Sequence, residues 1–178
     1  MKYFIFSLLA CLFSVCSYSQ ATTSSPVIKE ADGFVILKDA KMQPDKKRVY
    51  KAIYDATKAA KDPSQIIPAL NMAGSELNAL GVCSIPLSNA KFVVVFHGDA
   101  INGILDDQHY RTKYGVSNPN LEVLAELKKA GVQLFVCGQN LVAENIDPKI
   151  ISKNVTIASD ALIVLMSYQN DGFALMNF

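Results

Sequence analysis

The sequence predicts an α/β protein: a three-layer α/β/α domain built on a mainly parallel sheet of about five strands. Three observations predict it. Short β-branched and aromatic runs alternate along the chain with segments of helical period. The run KFVVVF at 91–96 is apolar without alternation, as a strand covered on both faces requires. The run VQLFVCGQN at 132–140 begins the same way, then stops in a thiol, a glycine and two amides. Such an ending puts the thiol at the carboxyl edge of the sheet, where open parallel sheets gather ligands and chemistry.

The chain opens MKYFIFSLLACLFSVCSYSQ. Lys2 is a short positive region, and Ser17-Tyr18-Ser19 resembles a small-x-small cleavage site. The apolar run between them is shorter than the roughly 20 residues a spanning helix needs. Residues 1–19 therefore read as a signal peptide, with export to the periplasm or the medium and no stable membrane span. Leu8-Leu9-Ala10-Cys11 offers a second reading, lipoprotein anchoring at Cys11, although the apolar run before that cysteine is very short. Cleavage near residue 19 would leave Cys83 and Cys137 as the cysteines of the mature chain, and no disulfide is predicted between them.

Residues 20–33 are polar and turn-rich and read as a flexible lead-in to a domain over 34–178. Residues 34–37 suggest a minor strand, and Pro44 a loop. Residues 49–56 alternate as a first main strand, with Ile53 on one side and Tyr50, Ala52 and Tyr54 on the other. Asp62-Pro63-Ser64 signals a helix entry, and Ile66, Ile67, Leu70, Ala73, Leu77 and Leu80 keep helical spacing up to Gly81. Pro68 inside that run demands a bend or a later start. After the strand at 91–96, residues 100–120 form a long polar insert. Asp106 is placed to cap a short helix ended by Gly115, and Asn120 to cap the next one. Leu121, Leu124, Ala125 and Leu127 share a helix face, with Lys128 and Lys129 at its carboxyl end. Beyond the strand at 132–137, Asn140 and Asp147-Pro148 open short helices. Residues 155–158 form a brief strand, and Ser159 caps a helix over 160–169. Residues 173–178 make the last strand.

The length of 178 residues and the 51% hydrophobic content fit one domain with a sizeable core. A net charge of +1, without basic runs, gives no support to a nucleic-acid partner. There is no GxGxxG and no P-loop, so no nucleotide cofactor is predicted. No GxSxG elbow points to a hydrolase.

Cys137 is the first candidate catalytic residue. A sulfur carrier needs an accessible thiolate, and a helix beginning just beyond Gly138 would favour one. Its plain alternative is packing, because free cysteine is among the most buried residue types. His97, at the tip of the 91–96 strand, would lie on the order of 5 Å from Cys137 if the two strands are neighbours, and could relay its proton. Its plain alternative is a bond to a loop carbonyl. Asn120, Gly138, Gln139 and Asn140 are candidate ligand-binding residues at strand ends or turns; turn and cap chemistry accounts for the amides equally well. One cysteine with one histidine falls short of the about four ligands of a closed zinc site, so no metal is predicted.

Three pieces carry a family resemblance: DDQHYRTKYGVSNPN at 106–120, LKKAGVQLFVCGQNL at 127–141 and the terminal GFALMNF at 172–178. With KFVVVFHGDA before them, they resemble the secreted branch of the DsrE/DsrF-like (YchN-like) family. The resemblance implies a parallel three-layer domain, a homo-oligomer (trimer or hexamer), and sulfur relay through a persulfide on Cys137. A sulfur carrier or sulfurtransferase would need a donor or acceptor protein as partner. The competing expectation is a non-catalytic oligomeric module that binds a small ligand or a protein. The apolar stretches at 160–169 and 173–178 suit a subunit interface in either case.

Overall fold

A computed structural model describes residues 26–178. The expected leader, Cys11 and the start of the lead-in lie outside these residues. One sheet runs through the molecule, built from β1 (Tyr50–Ala56), β2 (Ala90–Phe96), β3 (Gln133–Cys137), β4 (Thr156–Ala158) and β5 (Ala174–Asn177). The spatial order is β4-β3-β2-β1-β5, and every neighbouring pair is parallel. The helices are α1 (Pro68–Val82), α2 (Asp107–Tyr114), α3 (Asn120–Lys129), α4 (Gly138–Ala143) and α5 (Ala161–Asn170).

That order dictates the layers. Crossovers between parallel strands are right-handed. The steps from β1 to β2, β3 and β4 all move one way across the sheet, so α1, α3 and α4 share a face. The step from β4 to β5 returns across the whole sheet, so α5 lies on the other face. Packing agrees. Leu70 and Leu77 of α1, Leu124 and Leu127 of α3 and Leu141 of α4 share a core with Tyr54, Val94 and Val136. Ala161, Val164 and Leu165 of α5 pack with Ile53, Val93, Val95 and Cys137. Alternate residues of β1, β2 and β3 serve opposite cores, which is the period-two rule of a strand. Covered on both faces, β2 has Val93, Val94, Val95 and Phe96 all fully buried.

The structure departs from the sequence reading at several ends. Residues 34–37 form no strand; Val35 and Leu37 are exposed and the stretch is irregular. Helix α1 starts at Pro68, not near Ser64, so the proline takes the first helical position, where its missing amide costs nothing. Asp62 instead caps a separate turn, accepting from the Ser64 amide at 2.8 Å. Gly81 does not end α1. The helix runs to Val82 and closes with Ser84 in the left-handed region (φ 55), the Ile85 amide reaching back to the Leu80 carbonyl at 2.9 Å. Asp160, not Ser159, caps α5.

Within the expected lead-in, the described residues 26–32 are docked on α1. Ile28 is fully buried. Its amide donates to Asn78 Oδ1 at 2.8 Å, and Asn78 Nδ2 donates back to the Ile28 carbonyl at 2.9 Å. A Cβ on Gly74 would stand 2.5 Å from Ala31 Cβ, so this approach requires glycine in α1.

Candidate functional site

The topology singles out one crevice. β3 exits into α4 on one face of the sheet, and β4 exits into α5 on the other. Adjacent strands whose exits part to opposite faces define a switch point, and a crevice opens beyond their carboxyl ends. Here it lies between the tips of β3 and β4. A cavity of about 630 Å³ lies on its α4 side, with Gly138, Gln139, Val142, Ile157 and Ser159 in its walls; Cys137 is not among them.

Cys137 is the last residue of β3, and α4 begins directly after it. Cys137, not Asn140, therefore stands at the N-cap position of this helix, without a side-chain capping bond. Gly138 has a steric reason: a Cβ there would lie 2.8 Å from the Ala158 carbonyl oxygen. The close backbone approach that the glycine permits comes from β4 itself. Gln139 Nε2 donates to the Ser159 carbonyl at 3.3 Å, and Asn140 Oδ1 accepts from the Gly98 amide at 3.2 Å. The two amides thus tie the tip of β3 to the tips of β4 and β2.

The Cys137 side chain points to the α5 face. The residue is only 5% exposed and packs among Val95, Ala161 and Val164. Cys83 and Cys137 are both free thiols. The register Phe96↔Val136, continued by one residue, brings the backbone of His97 level with that of Cys137. His97 has extended backbone (φ −153, ψ 179), so the pleat continues and its side chain shares the face of Val93 and Val95. Its ring Nε2 lies 2.5 Å from Asp55 Oδ1, with the two side chains 23% and 13% exposed. The loop carbonyl offered as the plain alternative is replaced by a carboxylate. Sequence reading missed Asp55. The signal was present: an acid in a strand that otherwise reads as apolar at Ile53, Tyr54 and Ala56.

His97, Cys137, Gly138, Gln139 and Asn140 therefore gather at the tips of β2 and β3. Asn120 lies apart from this cluster. It is fully buried, its Oδ1 accepts from the Ile67 amide at 2.8 Å, and its Nδ2 donates to Asn118 Oδ1 at 2.9 Å. Nor does Asn120 cap α3; it is the first residue of that helix, and Asn118 accepts its amide. The insert after β2 packs away from Cys137. Ala100, Ile101, Ile104 and Tyr110 pack into the core on the α1 side, and Leu105 bridges to Ile151. α5 is what covers the thiol.

Among the described residues, no three His, Cys, Asp or Glu side chains are placed to hold a metal ion. No helix among them is long and apolar enough to cross a membrane. A second hollow, of about 660 Å³, lies between α1, β5 and residues 34–48, with Phe34, Met42, Tyr54 and Phe178 in its walls and no residue of the Cys137 cluster.

Fold and site define a class: a small α/β/α domain with a thiol at its topological switch point. The model of the DsrE/DsrF-like family matches residues 48–178, and the chain belongs to that family. Two solved structures are similar in fold. One is MTH1491 from Methanobacterium thermoautotrophicum, a protein of unknown function, at 15% identity and TM-score 0.52, covering 72% of this chain and 99% of that one. The other is the ychN protein from E. coli, at 16% identity and TM-score 0.51, with the same coverage of 72% and 99%. No curated protein matches the chain.

Proposed function

We propose that this chain is an exported, oligomeric sulfur carrier or sulfurtransferase that holds sulfur as a persulfide on Cys137, with His97 taking the thiol proton. One observation carries the reading. Cys137 ends β3 at the switch point, and the register of β2 and β3, continued by one residue, aligns the backbone of His97 with it on the same face of the sheet. Membership of a family linked to sulfur relay supports it.

The step balances without an oxidant. Cys137 gives its proton to His97, and the thiolate attacks the outer sulfur of a donor persulfide, R–S–SH. The donor S–S bond breaks as the new one forms. The donor leaves as a thiolate and is protonated to R–SH, and Cys137 becomes Cys–S–SH. The outer face of α5 carries Leu162, Ile163 and Met166, each more than half exposed, which supports assembly into an oligomer through that helix.

The burial of Cys137 favours a second reading, a non-catalytic oligomeric binding module in which the thiol is packing. Incubation with a persulfide donor followed by intact-mass measurement separates the two. The carrier reading predicts one added sulfur on the wild type and none on Cys137→Ala. Equal labelling of both proteins, or of neither, sinks it. Export is tested by the amino-terminal sequence of the protein recovered outside the cytoplasm, expected to begin near residue 20.

A further inference from the structure

Three neighbouring strands contribute one residue each to the α5 face at the carboxyl edge: Asp55 from β1, His97 from just beyond β2, and Cys137 from β3. Among the described residues Asp55 pairs with His97 and not with a lysine or arginine. Both side chains are largely shielded from solvent, so water does not dilute the hold of the carboxylate on the ring. A carboxylate that accepts from one ring nitrogen leaves the other as the ring's basic atom.

We propose that Asp55 is a positioning residue for the Cys137 site. Its carboxylate fixes His97 in the tautomer protonated on Nε2, so that Nδ1 is the atom that accepts the Cys137 proton. When the donor thiolate leaves, the same Nδ1 returns the proton to it, and the ring ends the cycle as it began. Asp55 accepts a hydrogen bond throughout and takes no proton. The inference rests on Cys137 being the sulfur-carrying thiol.

The full-length chain has two histidines, so ¹⁵N ring signals of His97 are assignable with the help of a His109→Gln variant. The wild type is expected to show the Nε2-protonated tautomer. Asp55→Asn, whose amide can donate to the ring, is expected to lose it, and Asp55→Glu to keep it. Loading of Cys137 from glutathione persulfide is followed on the same proteins by mass. Asp55→Asn is expected to load on the order of tenfold more slowly, with Asp55→Glu recovering most of the rate, and His97→Gln to load roughly a hundredfold more slowly. Thermal melts of each variant distinguish loss of chemistry from loss of fold. An unchanged ring tautomer in Asp55→Asn overturns the inference. So does wild-type loading by Asp55→Asn, which leaves the carrier reading intact. A wild type that holds the tautomer but never loads sulfur overturns the carrier reading, and this inference with it.

Discussion

At the scale of single residues, the site owes its shape to small, specific constraints. Gly138 is one. A methyl group added there meets the Ala158 carbonyl oxygen at 2.8 Å, a backbone atom that cannot swing away. Gly138→Ala is expected to destabilise the fold by about 1–3 kcal/mol, the usual cost of overpacking, and to push β4 from Cys137. Urea unfolding that matches the wild type contradicts this. Asn78 is a second constraint. It satisfies both backbone groups of buried Ile28. Asn78→Ala strands them, at a cost of about 1–3 kcal/mol measurable in the same assay. Cys137 and His97 were legible in the sequence because each is a reactive residue at the end of an apolar run. Asp55 was not read, because its role depends on a diagonal contact between β1 and the tip of β2. The part played by Asn120 was equally hidden: an amide in an NPN turn looks the same whether it faces solvent or closes a buried network.

At the scale of elements, strands and helices were read well and their ends poorly. The runs at 91–96 and 132–137 read as strands from their β-branched and aromatic residues and their length, and Val93, Val94, Val95 and Phe96 of the first are fully buried. Caps depend on one or two side chains among several equivalent candidates, so Asp160 and Ser159 could not be told apart by spacing. Helix α2 illustrates a cap that sequence did find. Asp106 caps it, and the His109 backbone amide, with the His109 ring second, holds the Asp106 carboxyl below its ordinary range. The Arg111 guanidinium, then the Asn118 amide, does the same for Asp107. Both folded-state values are lowered. Their contribution is therefore present above the unfolded value, near about 4, and lost as pH falls through the lower folded values. Stability is expected to decline with acid below about pH 4, and less steeply in Asp106→Asn/Asp107→Asn. Equal slopes for variant and wild type would count against these bonds.

At the scale of the whole molecule, one topological fact organises the rest. The order β4-β3-β2-β1-β5 sends a single crossover back across the sheet, leaves α5 as the one described helix on its face, and puts the switch point at the end of β3, where Cys137 stands. The three-layer class was legible from alternation alone. Strand order was not, because nothing local in the final strand says that it returns to pair with β1. If the outer face of α5 is the subunit contact, Leu162→Glu/Met166→Glu is expected to yield monomers by light scattering, while the wild type stays oligomeric; an unchanged mass contradicts that assignment. The central claim is that Cys137 does chemistry and does not merely fill space. Its most direct test is alkylation of the native wild-type protein near neutral pH, read by peptide mapping with Cys83 as the internal comparison. The account predicts rapid modification of the Cys137 peptide that slows in His97→Gln; modification of Cys137 only after unfolding would contradict it.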